Sequence, residues 1–119
     1  MYAFFIIEST SATTVVATRC EFANSQCGAV VGGSLTSATF KNCVFNGNER
    51  IGIVTRISTI HLHGEATAIH SNGEYGISAW NSGKVIIHLP SHHNTSYNNG
   101  DEDRRARYGG TVTVTNVED

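Results

Sequence analysis

Gly28-Ala29-Val30-Val31, Gly52-Ile53-Val54-Thr55 and Gly76-Ile77-Ser78-Ala79 decide the fold: three glycine-led runs, spaced by 24 residues. Another step of 24 backwards lands on Phe4-Phe5-Ile6-Ile7. A second column repeats beside the first. Cys20-Glu21-Phe22 and Cys43-Val44-Phe45 are 23 apart, and Thr67-Ala68-Ile69 follows 24 later. Each leads into a polar turn, Ala23-Asn24-Ser25, Asn46-Gly47-Asn48 and His70-Ser71-Asn72-Gly73. A third column holds Ala38 and Phe40, Ile60 and Leu62, Val85 and Ile87, at spacings of 22 and 25. Such self-similarity marks a repeat architecture, in which one unit cannot bury its own apolar face and stacked units share a core.

Three short strands per unit, separated by Gly- and Asn-rich corners, predict an all-β chain. The expected fold is a right-handed single-stranded parallel β-helix of about four to five coils, ~24 residues per coil, forming one domain over residues 1–119. Alternation along a strand places side chains on opposite faces. It assigns to the interior Phe5 and Ile7, Ala29 and Val31, Ile53 and Thr55, Ile77 and Ala79. Phe22, Phe45 and Ile69 join them, as do Phe40, Leu62 and Ile87. Amphipathic helices fit poorly, because no 3.6-residue stripe persists. An antiparallel sandwich would also have short strands and frequent turns, but it does not predict recurrence at a fixed register.

Composition agrees with a cornered, narrow fold. Twelve glycines stand against a single proline in 119 residues, so corners are many and rigid loops few. Charged residues make up 15% and the net charge is −2, which is not the basic footprint of a nucleic-acid binder. No run approaches the roughly 20 apolar residues that span a bilayer, so neither nucleic acid nor membrane is expected as a partner. No cofactor motif is visible. Met1 to Glu8 lacks the basic start of a signal peptide, and the chain reads as a fragment or as starting in mid-fold. No compartment follows from this. Residues 100–110, with Asp101-Glu102-Asp103-Arg104-Arg105-Ala106-Arg107, read as a charged loop excursion. Thr111-Val112-Thr113-Val114-Thr115 then returns as a strand that caps the stack or forms its last rung.

The stretches Cys20-Glu21-Phe22, Asn42-Cys43-Val44-Phe45-Asn46-Gly47-Asn48 and Ser71-Asn72-Gly73-Glu74-Tyr75-Gly76-Ile77 resemble the pectin-lyase-like superfamily of right-handed parallel β-helices. The likeness spans roughly residues 14 to 99, and it consists of turn and core positions. It therefore implies architecture rather than one chemistry, since that superfamily includes lyases, hydrolases, epimerases and phage tailspikes. The Asn-Thr-Asp and Gly-His-Gly motifs of polygalacturonase-like hydrolases are absent from the sequence. So is the Asp-Pro-His-Asp of alginate epimerases.

Three outward-facing groups are candidates for function. Glu8, Gly32, Arg56 and Trp80 fall in one column, where an indole beside a guanidinium could stack on a sugar ring; packing is the plainer account. His61 and His63 face outward from one strand, and His88 should stack beside His63 with Lys41 on the far side. His63 and His88 are thus weak metal candidates, since imidazole is a common transition-metal ligand, although a solvated polar ladder needs no metal. The carboxylates of residues 101–103 could hold calcium or act as acid and base, but mixed charge in a loop is usually a solvated tip. His70, His92 and His93 read as turn residues, and Asn94-Thr95-Ser96 as a glycosylation acceptor only in a secreted chain.

Cys20 and Cys43 are expected at equivalent interior positions, at a spacing that admits either a disulfide or a reduced stack; the reduced stack is preferred. Two functions of different classes remain open. One is a non-catalytic module that binds a surface glycan or a protein, or that self-associates through the apolar rung from Phe4 to Ile7. The other is a carbohydrate-active enzyme, or its remnant, acting on an acidic polysaccharide, with Arg56, Lys41, His63 and His88 as the groups to test.

Overall fold

In a computed structural model that describes residues 5–6, 11–89 and 96–116, the chain is a parallel β-solenoid of about four turns, with no helix among the described residues. After β1 (Phe5–Ile6), the first coil contains β2 (Thr13–Thr18), β3 (Glu21–Ala23) and β4 (Cys27–Gly32). The second contains β5 (Thr36–Lys41), β6 (Val44–Asn46) and β7 (Ile51–Arg56), and the third β8 (Thr59–His63), β9 (Ala68–His70) and β10 (Tyr75–Trp80). The fourth contains β11 (Lys84–Leu89), β12 (Ser96–Tyr97) and β13 (Glu102–Arg107), and β14 (Thr111–Asn116) follows. Each strand pairs in parallel with its counterpart one coil away, which gives three sheets. Sheet A runs β1-β4-β7-β10-β13, sheet B β14-β11-β8-β5-β2, and sheet C β12-β9-β6-β3.

From Cys20 onwards, the columns read from the sequence are the observed registers. Ala29 pairs with Ile53 and Ile53 with Ile77; Phe22 pairs with Phe45 and Phe45 with Ile69; Phe40 pairs with Leu62 and Leu62 with Ile87. All these side chains are buried in one core. Phe22 and Phe45 stack with centroids 4.9 Å apart, and Phe40 meets both edge-on at 5.6 and 5.1 Å. Burying an aromatic or branched aliphatic side chain contributes about 1.5–3 kcal/mol, so a filled column in every coil is the main source of cohesion. Of the interior positions expected near the start, Ile7 lies outside the described residues, and Phe5 is corrected: it pairs with Val30 rather than Ala29, a step of 25, so that Ile6 and not Phe5 holds the register of buried Val31. Only the backbone of Phe5–Ile6 is placed, as the terminal rung against Val30 and Val31.

The corner after each strand of sheet C is built alike. Asn24, Gly47, Ser71 and Asn98 all have a left-handed φ of 54–65°, a conformation that Asn and Gly tolerate best. The next residue is Ser25, Asn48, Asn72 or Asn99, and these form a ladder. Asn48 donates both its backbone N–H and its side-chain amide to Oδ1 of Asn72, at 3.1 and 2.9 Å. Asn72 does the same to Asn99 at 3.1 and 2.9 Å, and Asn99 to the Asp103 carboxylate at 3.1 and 3.0 Å. Each amide also donates to a strand carbonyl of the preceding coil, Phe22, Phe45 or Ile69. The glycine column exists to make room for this ladder. A Cβ on Gly52 would stand 2.7 Å from the Gly76 carbonyl and 2.9 Å from the Asn72 amide.

Two further expectations need correction. Residues 102–107 are not part of a loop excursion but strand β13, the next rung of sheet A, with Ile77 opposite Arg104 and Trp80 opposite Arg107. Arg104 continues the core column yet is exposed, because no described rung lies beyond it; a terminal rung can be charged where an internal one cannot. Cys20 is exposed rather than interior, since it sits in the first coil with no described coil over it, whereas Cys43 is buried. All three cysteines are free, and burial pushes the thiols of Cys27 and Cys43 above the ordinary value.

Asn72→Ala should cost roughly 2–4 kcal/mol in urea unfolding, because the Asn48 amide groups and the Phe45 carbonyl lose buried partners at about 1–3 kcal/mol each. Asn46→Ala, whose side chain only bonds exposed Glu21, should change stability by less than about 0.5 kcal/mol. Equal losses would show that the ladder is not what holds the corners.

Candidate functional sites on two outer faces

The core is filled by side chains, so ligands must meet the outer faces. On sheet A the outer face carries a small apolar cluster, Cys27, Ile51 and Val54, with Val30 and Tyr75 packed against it. Towards the last rungs it turns polar and aromatic. Trp80 lies between Arg56 and Arg107 in register. The Arg56 guanidinium is 5.8 Å from the indole centroid, and the Tyr108 ring is 6.2 Å from it on the corner that follows. One column inward, the Arg105 guanidinium lies 4.6 Å over the Tyr75 ring. Its Nε–H is buried and donates to no acceptor among the described residues, so the ring face meets the charge. Arg50, Glu74 and Asp101 border the other side, with an Arg50–Glu74 ion pair of 3.3 Å. Tyr75, Trp80, Arg105 and Arg107, with Arg50, Glu74 and Asp101, line a groove of about 270 Å³.

Of the column read from the sequence, the structure therefore brings Arg56 and Trp80 together. Glu8 lies outside the described residues. Tyr75, Arg105 and Arg107 were missed, because β13 pairs with β10 at a separation of 27 residues, as in Trp80–Arg107; a search at the shorter period steps past it. Trp80 followed 27 positions later by Arg107 was the available signal; Tyr75 stands opposite Glu102, and its contact with Arg105 is diagonal.

On sheet B, His63 and His88 stack with centroids 4.1 Å apart and planes 3° from parallel, and Lys41 pairs with His63 from the other side. The expected ladder is present. His61 joins it diagonally: its Nδ1 is 2.8 Å from Nε2 of His88, and the two rings are 5.0 Å apart. All three rings are partly buried. Burial, and then the neighbouring His88, hold the His61 pKa below the ordinary imidazole value. Burial lowers that of His63 as well, with His88, His61 and Lys41 adding to the effect. His70 closes strand β9 and stacks on Tyr97 at 5.1 Å, while His92 and His93 lie outside the described residues. The four groups considered for catalysis divide between faces, Arg56 on sheet A and Lys41, His63 and His88 on sheet B.

No family model, curated protein or solved structure matches this chain. Among the described residues no helix is long and apolar enough to cross a membrane.

A histidine whose folded pKa is depressed binds fewer protons in the native than in the unfolded state. Its contribution to stability is complete above the unfolded value, near 6.5, and is lost as pH falls towards the lower folded value. In metal-free buffer, the melting temperature should fall between pH 7.5 and 5.5. The fall should be smaller in a His61→Asn, His63→Asn double variant, in which the remaining groups facing the pair are His88 on β11 and Lys41 on β5. A wild-type melt that is flat across this window would contradict the lowered values.

Proposed function

We propose that the chain is a non-catalytic binding module for an acidic glycan, which lies along the groove on the outer face of sheet A. The observation that carries this reading is a groove lined by Tyr75 with the Arg105 guanidinium over its ring, by Trp80 and by Arg107, with Arg56 set against the same indole. A flat ring offers a sugar the face of its C–H bonds, and guanidinium groups recognise carboxylates or sulfates bidentately. A right-handed β-helix of the pectin-lyase-like kind, as the turn and core motifs suggest, would be a fitting scaffold for a chain-like ligand. A carbohydrate-active enzyme is the alternative class. The division of Arg56 from Lys41, His63 and His88 between two faces favours the binding module over a catalyst that uses all four.

Calorimetric titration with oligogalacturonate and oligoalginate, beside a neutral oligosaccharide, tests the proposal. Acidic oligomers should bind more tightly and lose affinity with salt. Trp80→Ala should weaken them roughly tenfold, about 1.4 kcal/mol, while Tyr97→Ala, on sheet C and away from the groove, serves as the comparison aromatic. Absence of saturable binding, or equal binding by the Trp80 variant, refutes the reading. Formation of unsaturated product or new reducing ends moves the case to the enzyme.

A second reading, self-association end on end, is favoured by a specific feature of sheet B. Its terminal strands, β2 with Thr13-Thr14-Val15-Val16-Ala17-Thr18 and β14 with Thr111-Val112-Thr113-Val114-Thr115-Asn116, each pair on one side only among the described residues and carry no charge. Uncharged six-residue edges are templates for another strand. Light scattering should show a mass that rises with concentration and falls on Val16→Lys; a monomer at every concentration would exclude the association.

A further inference from the structure

His61, His63 and His88 present one nitrogen each within 4.8 Å of one another. The arrangement follows from β geometry. Two histidines two residues apart on β8 share the outer face, and the third stands on the adjacent strand, about 4.8 Å away, so three rings converge on one patch from two rigid rungs. The backbone beneath them is fixed by the parallel pairing of β8 with β11. A tetrahedral ion with metal–nitrogen bonds of about 2.0–2.1 Å holds its ligand atoms about 3.4 Å apart. The closest pair, at 2.8 Å, must open slightly and the widest must close, which are movements of ring rotation rather than of backbone.

We propose that His61, His63 and His88 bind one divalent transition-metal ion of borderline softness, zinc or copper, through three imidazoles, with one coordination position left to solvent. The donor set decides the class of ion. Three neutral nitrogen donors with no carboxylate among them suit zinc, copper, nickel or cobalt and do not suit calcium or magnesium, which take oxygen ligands. The contact between Nδ1 of His61 and Nε2 of His88 already aims a lone pair and an N–H at each other; on coordination that proton passes to the far nitrogen of its own ring, and no net charge is left behind. Lys41, on the far side of His63 from His88, opposes the ion, so the site is weaker than its ligand count alone would make it. The site is on sheet B, on a different face from the glycan groove, and neither depends on the other.

Zinc chloride titrated into the metal-free 119-residue chain tests this by calorimetry. One ion per chain is expected, with a dissociation constant of about 1 μM or tighter, while calcium and magnesium give no heat. His61→Asn, His63→Asn and His88→Asn should each weaken binding at least tenfold. His70→Asn and the His92→Asn, His93→Asn pair should leave it unchanged, and Lys41→Gln should tighten it a few-fold. Because a histidine variant could unfold, imidazole nitrogen shifts in the wild-type protein are read in parallel, and zinc should move three rings together. The absence of one-to-one binding overturns the site, as does binding that follows His92 and His93 instead of the trio.

Discussion

A buried amide must find partners for every donor and acceptor it carries, and in this solenoid it can do so only in the coil above and the coil below. Asn48 and Asn72 are each 2% exposed. An unpaired polar group at that depth costs several times what a satisfied hydrogen bond contributes. The ladder therefore fixes the vertical spacing and the rotation of each coil on the next. It also explains the glycine beside it, since a Cβ in that column would occupy the space of the amide. The apolar columns supply most of the cohesion, but they would tolerate a slip between chemically similar rungs. The amides would not.

With the interior closed by stacked side chains, the fold has only its outer faces to offer. Those faces are ruled by rung spacing: a position on one strand is matched by the corresponding position on the next. Aromatic and imidazole rings set at that pitch stack, as His63 does on His88 and His70 on Tyr97. Guanidinium groups set against rings at that pitch lie over them, as Arg56 does on Trp80. Sheets A and B thus acquire different chemistry from the same geometry. Sheet A becomes cationic and aromatic towards its last rung, and sheet B gathers imidazoles at its middle.

The sequence made the interior legible because stacking imposes the same demand at the same place in each coil. Gly28, Gly52 and Gly76 answer one demand, and Phe22, Phe45 and Ile69 another. The His63–His88 stack was readable for the same reason. Three things escaped. Cys20 shares its column with Cys43 but not its burial, because periodicity does not reveal which coil is the first. Strand β13 was hidden by its charge, which is permitted where no described rung covers it, and by a coil three residues longer than the usual 24. The contribution of His61 to the cluster was only half visible. Its register partner on β11 is Ile86, not a histidine, and the meeting with His88 is diagonal, which column-by-column reading does not follow.

The ladder has a direction. Along the ladder each side-chain oxygen accepts from the member before, each amide donates to the oxygen of the member after, and the series ends on Asp103, a carboxylate that can only accept. This gives the molecule a grammar of extension. A duplicated coil inserted anywhere upstream finds a donor on one side and an acceptor on the other, and reads as one more word in the same sentence. A coil appended beyond finds the donors of Asn99 already taken, so the carboxylate serves as the full stop.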